Sequence, residues 1–266
     1  MTDKIFDAVC GIRAQKPLIH CITNPISINQ CANVILSIGA KPIMAEHPKE
    51  VCEITDTSDA LMLNMGNITD VRMESIMLSM NKAKEKDIPV LLDVVGVACS
   101  HLRREYVVNL LNKSVPSVIK GNYSEIIGLY DETYFSKGVD AELSLTEMNI
   151  TKATICLAQK YRTVIVATGK TDVITDGEKT VYVKNGAPDM AMVTGTGCML
   201  GALCTAFMPV VSTIDSAVFA SVYFGICGEI AKTDRGYGSY MVNLIDRISI
   251  LGKNDISKYM KLEEFR

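Results

Sequence analysis

The 266 residues hold nine cysteines but no C-x-x-C pair, and three histidines but no H-E-x-x-H pattern. Both absences exclude the common zinc frameworks, and an odd number of scattered cysteines reads as free thiols in a reducing compartment. A G-x-x-x-x-G-K-[ST] loop is missing, and no G-x-G-x-x-G fingerprint follows the first strand-like run, which excludes the P-loop and dinucleotide-binding folds. There is no basic block beyond the mixed run Lys82–Asp87, which reads as a solvated helix face. With a formal net charge of −3, nucleic acid is not expected as a partner. The N-terminus, MTDKIFDAVC, lacks the apolar centre of a signal peptide, and no run of membrane-spanning length stands out, so a cytoplasmic protein without membrane contact is expected. No repeat or low-complexity linker divides the chain, and residues 1–266 read as one domain.

What is present is a regular alternation. Hydrophobic residues make up 48% and charged residues 21%, enough for a sizeable core. Helical faces are expected over 3–14 (Ile5, Phe6, Val9, Ile12), 27–38, 69–86, 103–111, 123–129, 151–161, 214–232 and 240–251. Between them lie short apolar runs: 17–22, 42–45, 60–64, 90–93, 117–120 and 163–167. Such spacing predicts βαβ units and a mostly parallel sheet with helices on both faces. Val173–Thr175, Asp176-Gly177 and Thr180–Val183 predict a hairpin whose Asp-Gly supplies the positive φ angles of a tight turn. Residues 131–148 are polar and aperiodic and read as a surface excursion.

After the hairpin comes the most informative stretch, Val193-Thr194-Gly195-Thr196-Gly197-Cys198-Met199-Leu200-Gly201-Ala202. A glycine-rich turn opening an apolar helix leaves first-turn N–H groups free, and with the helix dipole they suit a phosphate or other anion. Gly195, Thr196, Gly197 and Cys198 are therefore the catalytic candidates. A helix N-terminus lowers a thiol pKa, so Cys198 is a candidate proton acceptor as well as a positioning group for an alcohol. In parallel sheets ligands bind beyond the carboxyl ends of the strands. That rule gathers Met44, Asn64, Gly66, Asp93, Lys120-Gly121-Asn122 and Thr168-Gly169 around the turn, a set suited to a phosphate-rich ligand with Mg²⁺. Asn122 and Glu125, at i and i+3, are expected to face one cleft; for Glu125 the alternative is a first-turn glutamate that stabilises its own helix. Met44, Met62 and Met65 suit either an apolar slot or the core. His20 reads as a pocket-lining or a hydrogen-bonded structural residue, and His47 and His101 as surface-turn residues. Cys31, Cys156, Cys204 and Cys227 read as core fillers.

PLIHCITNPISINQCAN, GAKPIMA, LMLNMGN, GNYSEI, ATGKTDVITDG, NGAPDMAMVTGTGCMLGALCTAF and DRGYGSY, in that order, resemble the hydroxyethylthiazole kinases of the ribokinase-like superfamily. The resemblance implies a three-layer α/β/α ribokinase-like fold. The implied activity is ATP-dependent phosphorylation of the primary alcohol of 4-methyl-5-(2-hydroxyethyl)thiazole, a salvage step toward thiamine. It implies that Met44 and Gly195 contact the thiazole, with Asn24, Gly66 and Cys198 beside them. Lys120 and Thr168 would contact ATP together with Asn122 and Asp93, while Glu125 and Asp93 would serve Mg²⁺. A homotrimer with the thiazole site at a subunit boundary is implied as well. Related sugar kinases hold an aspartate base where Cys198 stands. Three departures are visible: Lys120 where the family usually has arginine, which keeps the charge but not the bidentate fork, and Asp93-Val94-Val95-Gly96 and Arg235-Gly236-Tyr237-Gly238, which each lack the family's turn proline. Rival readings are a pyrimidine or pyridoxal alcohol kinase, an ATP- or ADP-dependent NAD(P)H-hydrate dehydratase, and a catalytically silent nucleotide sensor. The first blocks weigh against the first rival, the absence of aspartate at Cys198 against the second, and the intact turn and Glu125 against the third.

Overall fold

The computed structural model describes residues 1–134 and 147–265. Helix α1 (Thr2–Gln15) buries Ile5, Val9 and Ile12, spaced i, i+4, i+7 on one face, and stops at Lys16 in a left-handed conformation before Pro17. Strand β1 (Leu18–Ile22) leads through Thr23-Asn24-Pro25 into α2 (Ile28–Ile38), which Gly39 closes at φ 105° with its N–H turned back to Ile35 and Leu36. There follow β2 (Lys41–Ile43), α3 (Val51–Asp56), β3 (Ala60–Asn64), α4 (Asp70–Glu85), β4 (Val90–Asp93), α5 (His101–Lys113), β5 (Val118–Asn122) and α6 (Tyr123–Tyr130). The side chains of Thr69 and Ser100 cap α4 and α5. The chain continues with α7 (Glu147–Tyr161), β6 (Val164–Thr168), the hairpin β7 (Asp172–Thr175) and β8 (Thr180–Val183), and a 3₁₀ turn at Pro188–Met192. It ends with α8 (Thr196–Phe207), α9 (Thr213–Ile230), α10 (Tyr237–Ile250), α11 (Lys253–Tyr259) and β9 (Leu262–Phe265).

The nine strands among the described residues form one sheet in the order β2-β1-β3-β4-β5-β6-β7-β8-β9. The first six are parallel, and β7, β8 and β9 are antiparallel additions. Alternate strand residues face opposite layers. Cys21, Met62, Leu91 and Val118 pack with α1, α2, α8, α9, α10 and α11. Ile22, Leu63, Leu92 and Ile119 pack with α3 to α7 on the other side. The architecture is thus the expected α/β/α sandwich with a hairpin before α8.

Four details differ from the sequence reading. Helix α9 does reach membrane-spanning length, with a mean hydropathy of 1.2, but 72% of it is buried inside the fold, as befits a core helix. The hairpin turn spans Asp176 to Lys179. Only Gly177 has positive φ there, and Asp176 Oδ1 accepts the N–H groups of Glu178 and Lys179, so side-chain capping rather than a two-residue Asp-Gly turn reverses the chain. His101 opens α5 instead of sitting in a surface turn. Helices α3 and α11 and strand β9 were not anticipated, and most of the expected excursion at 131–148 falls outside the described residues.

Candidate active site

Strand register builds the floor of the site. Asn64 pairs with Asp93 across β3 and β4, and Asp93 with Lys120 across β4 and β5. Each lies two residues beyond an apolar residue of the α8 face (Met62, Leu91, Val118), so the three point to the same side at the carboxyl ends of their strands. All are buried. Lys120 Nζ donates to Asp93 Oδ2 at 3.2 Å, and Asn64 Nδ2 donates to the same oxygen at 3.2 Å. Helix α8 can lie over this row because Gly201 has no side chain: a Cβ there would come within 2.9 Å of Met62 Cε and 3.6 Å of Asp93 Oδ2.

Two helix starts adjoin Lys120 of this row. At α6, Asn122 and Glu125 form a complete capping box: Glu125 N–H donates to Asn122 Oδ1 at 2.8 Å and Asn122 N–H donates to Glu125 Oε2 at 2.7 Å. Glu125 Oε1 also receives the Gly96 N–H at 2.8 Å. At α8 the N-cap is Gly195, with φ 91°, and no side chain caps the helix. The first backbone bond runs from Met199 N–H to Gly195 O, so the N–H groups of Thr196, Gly197 and Cys198 have no partner within the helix. The Thr196 hydroxyl is turned back to Met190 O. A Cβ placed on Gly197 would meet only Lys120 Nζ, at 3.8 Å, so an amine lies directly beside the open helix end. Thr168, paired with Asn122 across β5 and β6, donates its hydroxyl to Gly121 O.

The electrostatics are those of a desolvated charge cluster. Burial lowers the Lys120 pKa, but Asp93, Cys198 and Glu125 together outweigh it, and the amine is held as a cation. Burial lifts the Asp93 carboxyl, with Lys120 and Asn64 opposing. Glu125 is lifted by burial and by Asp93, with the two backbone N–H donors and Lys120 opposing. For Cys198, burial and the Asp93 charge push the thiol up, against Ser27, Lys120 and Asn24. Of the two readings of Cys198, proton acceptor and positioning group, this surrounding favours the second. The sulfur is instead held in place, receiving Asn24 Nδ2 at 3.4 Å and Asn64 Nδ2 at 3.3 Å.

Among the described residues no group of three or more His, Cys, Asp or Glu side chains could hold a metal ion. Asp93 Oδ1 is buried with no hydrogen-bond partner among the described residues, and each Glu125 oxygen accepts a single N–H from them, which leaves acceptor capacity on both carboxylates. Two carboxylates with water and phosphate oxygens make a fitting donor set for Mg²⁺.

Other expected residues separate clearly. Asn24 joins the network: its Oδ1 accepts from Ile26 and Ser27 N–H and its Nδ2 donates to Asn64 Oδ1 at 3.0 Å. Gly66 N–H donates to the same Asn64 oxygen. Met44 is half-buried, whereas Met62 and Met65 are fully buried and belong to the core rather than to a slot. His20 is structural: its Nε2 faces Ala45 O and its Nδ1 faces Thr55 Oγ1, each at 2.9 Å. Cys31, Cys204 and Cys227 are core residues, but Cys156 is only half-buried, beside an open cavity on α7. His47 Nδ1 accepts the Lys49 N–H in its turn. Sequence reasoning missed two neighbours. Ser27 sits 3.2 Å from a Cβ position on Gly195, and Asp172 accepts the Gly169 N–H while burial lifts its carboxyl to about 7. The ATGKTD block contains Asp172, but a strand-initial aspartate carries no signal of its own.

Residues 9–254 match the model of the Hydroxyethylthiazole kinase family. Hydroxyethylthiazole kinase 2 of Clostridium botulinum strain 657 is 42% identical over 260 residues, 96% of this chain and 98% of its own length. The hydroxyethylthiazole kinase of Methanosarcina mazei is 41% identical over 256 residues, 95% and 97% of the two chains. The solved hydroxyethylthiazole kinase protein from Pyrococcus horikoshii OT3 superposes with a TM-score of 0.90 at 32% identity, covering 99% of this chain and all of that one. A pyridoxal kinase from Staphylococcus aureus shares the fold alone, with a TM-score of 0.67 and 12% identity over 94% and 98% of the chains. The open α8 helix end, its adjoining lysine and these matches agree, and the chain belongs to the hydroxyethylthiazole kinase family.

Proposed function

We propose that this chain transfers the terminal phosphoryl group of ATP to the primary alcohol of 4-methyl-5-(2-hydroxyethyl)thiazole, a salvage step toward thiamine. The observation that carries this reading is the buried Lys120 amine 3.8 Å from the Gly197 Cβ position, beside a helix end that no side chain caps. Phosphoryl transfer runs through a loose transition state with charge spread over the transferred oxygens, so positioning and charge stabilisation dominate. The N–H groups at Gly195, Thr196, Gly197 and Cys198 hold the migrating group, and Lys120 supplies the positive charge beside it. Lys120, Thr168, Asn122 and Asp93 form the nucleotide side. Met44, Gly66, Asn24, Gly195 and Cys198 form the alcohol side. Cys198, held protonated and fixed by two amides, orients the hydroxyl. Glu125 and Asp93 would hold Mg²⁺, largely through water, and the ion would neutralise phosphate charge. The whole chain acts as one cytoplasmic kinase domain in a homotrimer, without nucleic acid or membrane partners.

A coupled ADP-release assay with hydroxyethylthiazole, a pyrimidine alcohol and pyridoxal side by side tests the reading, with and without Mg²⁺. Hydroxyethylthiazole with Mg²⁺ should give by far the highest kcat/KM. Equal or faster turnover of another alcohol would replace the substrate, and ADP release in none would remove the activity.

A further inference from the structure

Two loops leave the carboxyl ends of β2 and β3, the strands on either side of β1, on the alcohol side of the site. One carries Met44, Ala45 and Glu46 after β2; the other carries Met65, Gly66 and Asn67 after β3. Neither has regular secondary structure to fix it, yet both are tied down by the same buried side chain. Arg72, in the first turn of α4 and 6% exposed in its side chain, donates from Nε to Glu46 Oε2 at 3.1 Å. It donates from its guanidinium Nη1 to the carbonyl of Asn67 at 2.5 Å. Asn67 holds a left-handed φ of 47°, a conformation that a bond to its carbonyl helps to keep. The first loop has two further anchors: Ser75 Oγ donates to Glu46 O at 2.7 Å, and His20 bonds Ala45 O. A carbonyl can only accept, so His20 Nε2 is the donor and its Nδ1 accepts from Thr55. Burial, which lowers the His20 pKa, keeps this neutral arrangement.

We propose that Arg72, assisted by His20 and Ser75, is a positioning residue for the alcohol site, bolting the Met44 loop to the Gly66 loop and so fixing where the two loops stand relative to each other. This rests on the assignment of Met44 and Gly66 to the alcohol side. The bonds that Arg72, Ser75 and His20 make run to neither the α8 turn nor the Lys120 row. The Gly66 loop keeps its own bonds to the row, Gly66 N–H to Asn64 Oδ1 and Met65 N–H to Asp93 O, so loosening the clamp displaces alcohol contacts first and leaves Lys120 and Thr168 in place. A planar guanidinium reaches a carboxylate and a carbonyl in one fixed geometry, which an ammonium on a flexible stem does not reproduce.

The test is steady-state kinetics of Arg72→Ala, Arg72→Lys and Met44→Ala, with KM measured separately for hydroxyethylthiazole and ATP, and with added guanidinium chloride at low millimolar concentration. Arg72→Ala should raise the alcohol KM about tenfold and leave the ATP KM within about twofold, with Arg72→Lys only partly better and guanidinium restoring the Ala variant. General destabilisation would lower the active fraction and kcat without this split and without rescue. An unchanged alcohol KM in folded Arg72→Ala, while Met44→Ala raises it, overturns the clamp and leaves the site intact. No change in either variant overturns both the clamp and the Met44 assignment. Should Arg72→Ala fail to fold, Glu46→Ala at a half-exposed position, which removes the acceptor of the Arg72 Nε–H, serves instead: a rise of about threefold in alcohol KM alone supports the clamp, and no rise overturns it.

Discussion

Helices α6 and α8 both begin close to Lys120, and they treat their free N–H groups in opposite ways. The start of α6 is closed by its own side chains, Asn122 and Glu125, in a reciprocal box. The start of α8 has a glycine at the cap, no side-chain acceptor, and a lysine amine at its mouth. A closed helix end is a stable fixture that presents carboxylate oxygens outward. An open one is a standing demand for an anion. The pair therefore divides the labour of a phosphoryl site: α8 receives negative charge, and α6 offers the oxygens that a cation would need.

Several substitutions break or sharpen that contrast. The largest effect is expected from Lys120→Met, which removes the cation from a buried pair and leaves Asp93 alone. Breaking such a pair costs about 3–5 kcal/mol. With its folded pKa raised further above the unfolded value, Asp93 is tolerated when protonated, and the variant loses stability as pH rises through that raised pKa. Urea denaturation across pH checks this, and adding Asp93→Asn should recover most of the loss. Next is Gly197→Val. The Cβ position meets nothing closer than the lysine amine, so the fold is kept, but the added branches cover the open N–H groups. Turnover should fall about a hundredfold or more with little change in Tm, in the range of losing one oxyanion donor. A Gly197→Val enzyme with normal kcat would remove the open helix end from the mechanism.

Cys198 separates a base from a positioning group. Since its thiol is pushed up rather than down, Cys198→Ala should slow kcat about tenfold, short of the ~10²–10⁴-fold that a general base supplies. Cys198→Asp should remain active, because a carboxylate can both accept the two amide bonds and take a proton. A larger loss in Cys198→Ala would restore the thiolate as base. The smallest effect belongs to the closed helix. Asn122→Ala removes half of the capping box and should cost about 1 kcal/mol in urea unfolding, with a rate loss well below that of Gly197→Val. Equal rate losses at the two helix starts would erase the distinction between them.

Much of this site was legible because β3, β4 and β5 are short, mostly apolar and end on the polar residues Asn64, Asp93 and Asn122. Asn64, Asp93 and Lys120 could be gathered by a rule about strand ends, and parallel register then placed them side by side. The open turn was legible for a similar reason: Gly195 and Gly197 precede an unbroken apolar helix. What the sequence hid were pairings between segments. Arg72 is an unremarkable residue near a helix start until Glu46 and Asn67 are seen against it, 26 and 5 positions away. The choice between the two readings of Cys198 was hidden as well, because burial and Asp93, far away in the chain, act on the thiol against the local helix end. Strand β9 escaped notice because Leu262-Glu263-Glu264-Phe265 has two carboxylates in four residues; Lys184 and Lys179 pair with them at 2.6 and 3.2 Å and let the edge strand form.

The most direct measurement is a crystal structure with a non-hydrolysable ATP analogue and hydroxyethylthiazole. The account predicts the terminal phosphate against the N–H groups of Thr196, Gly197 and Cys198, within reach of the Lys120 amine, and the hydroxyl beside the Cys198 sulfur. A terminal phosphate bound away from that helix end, with Lys120 still engaged only by Asp93, would contradict it.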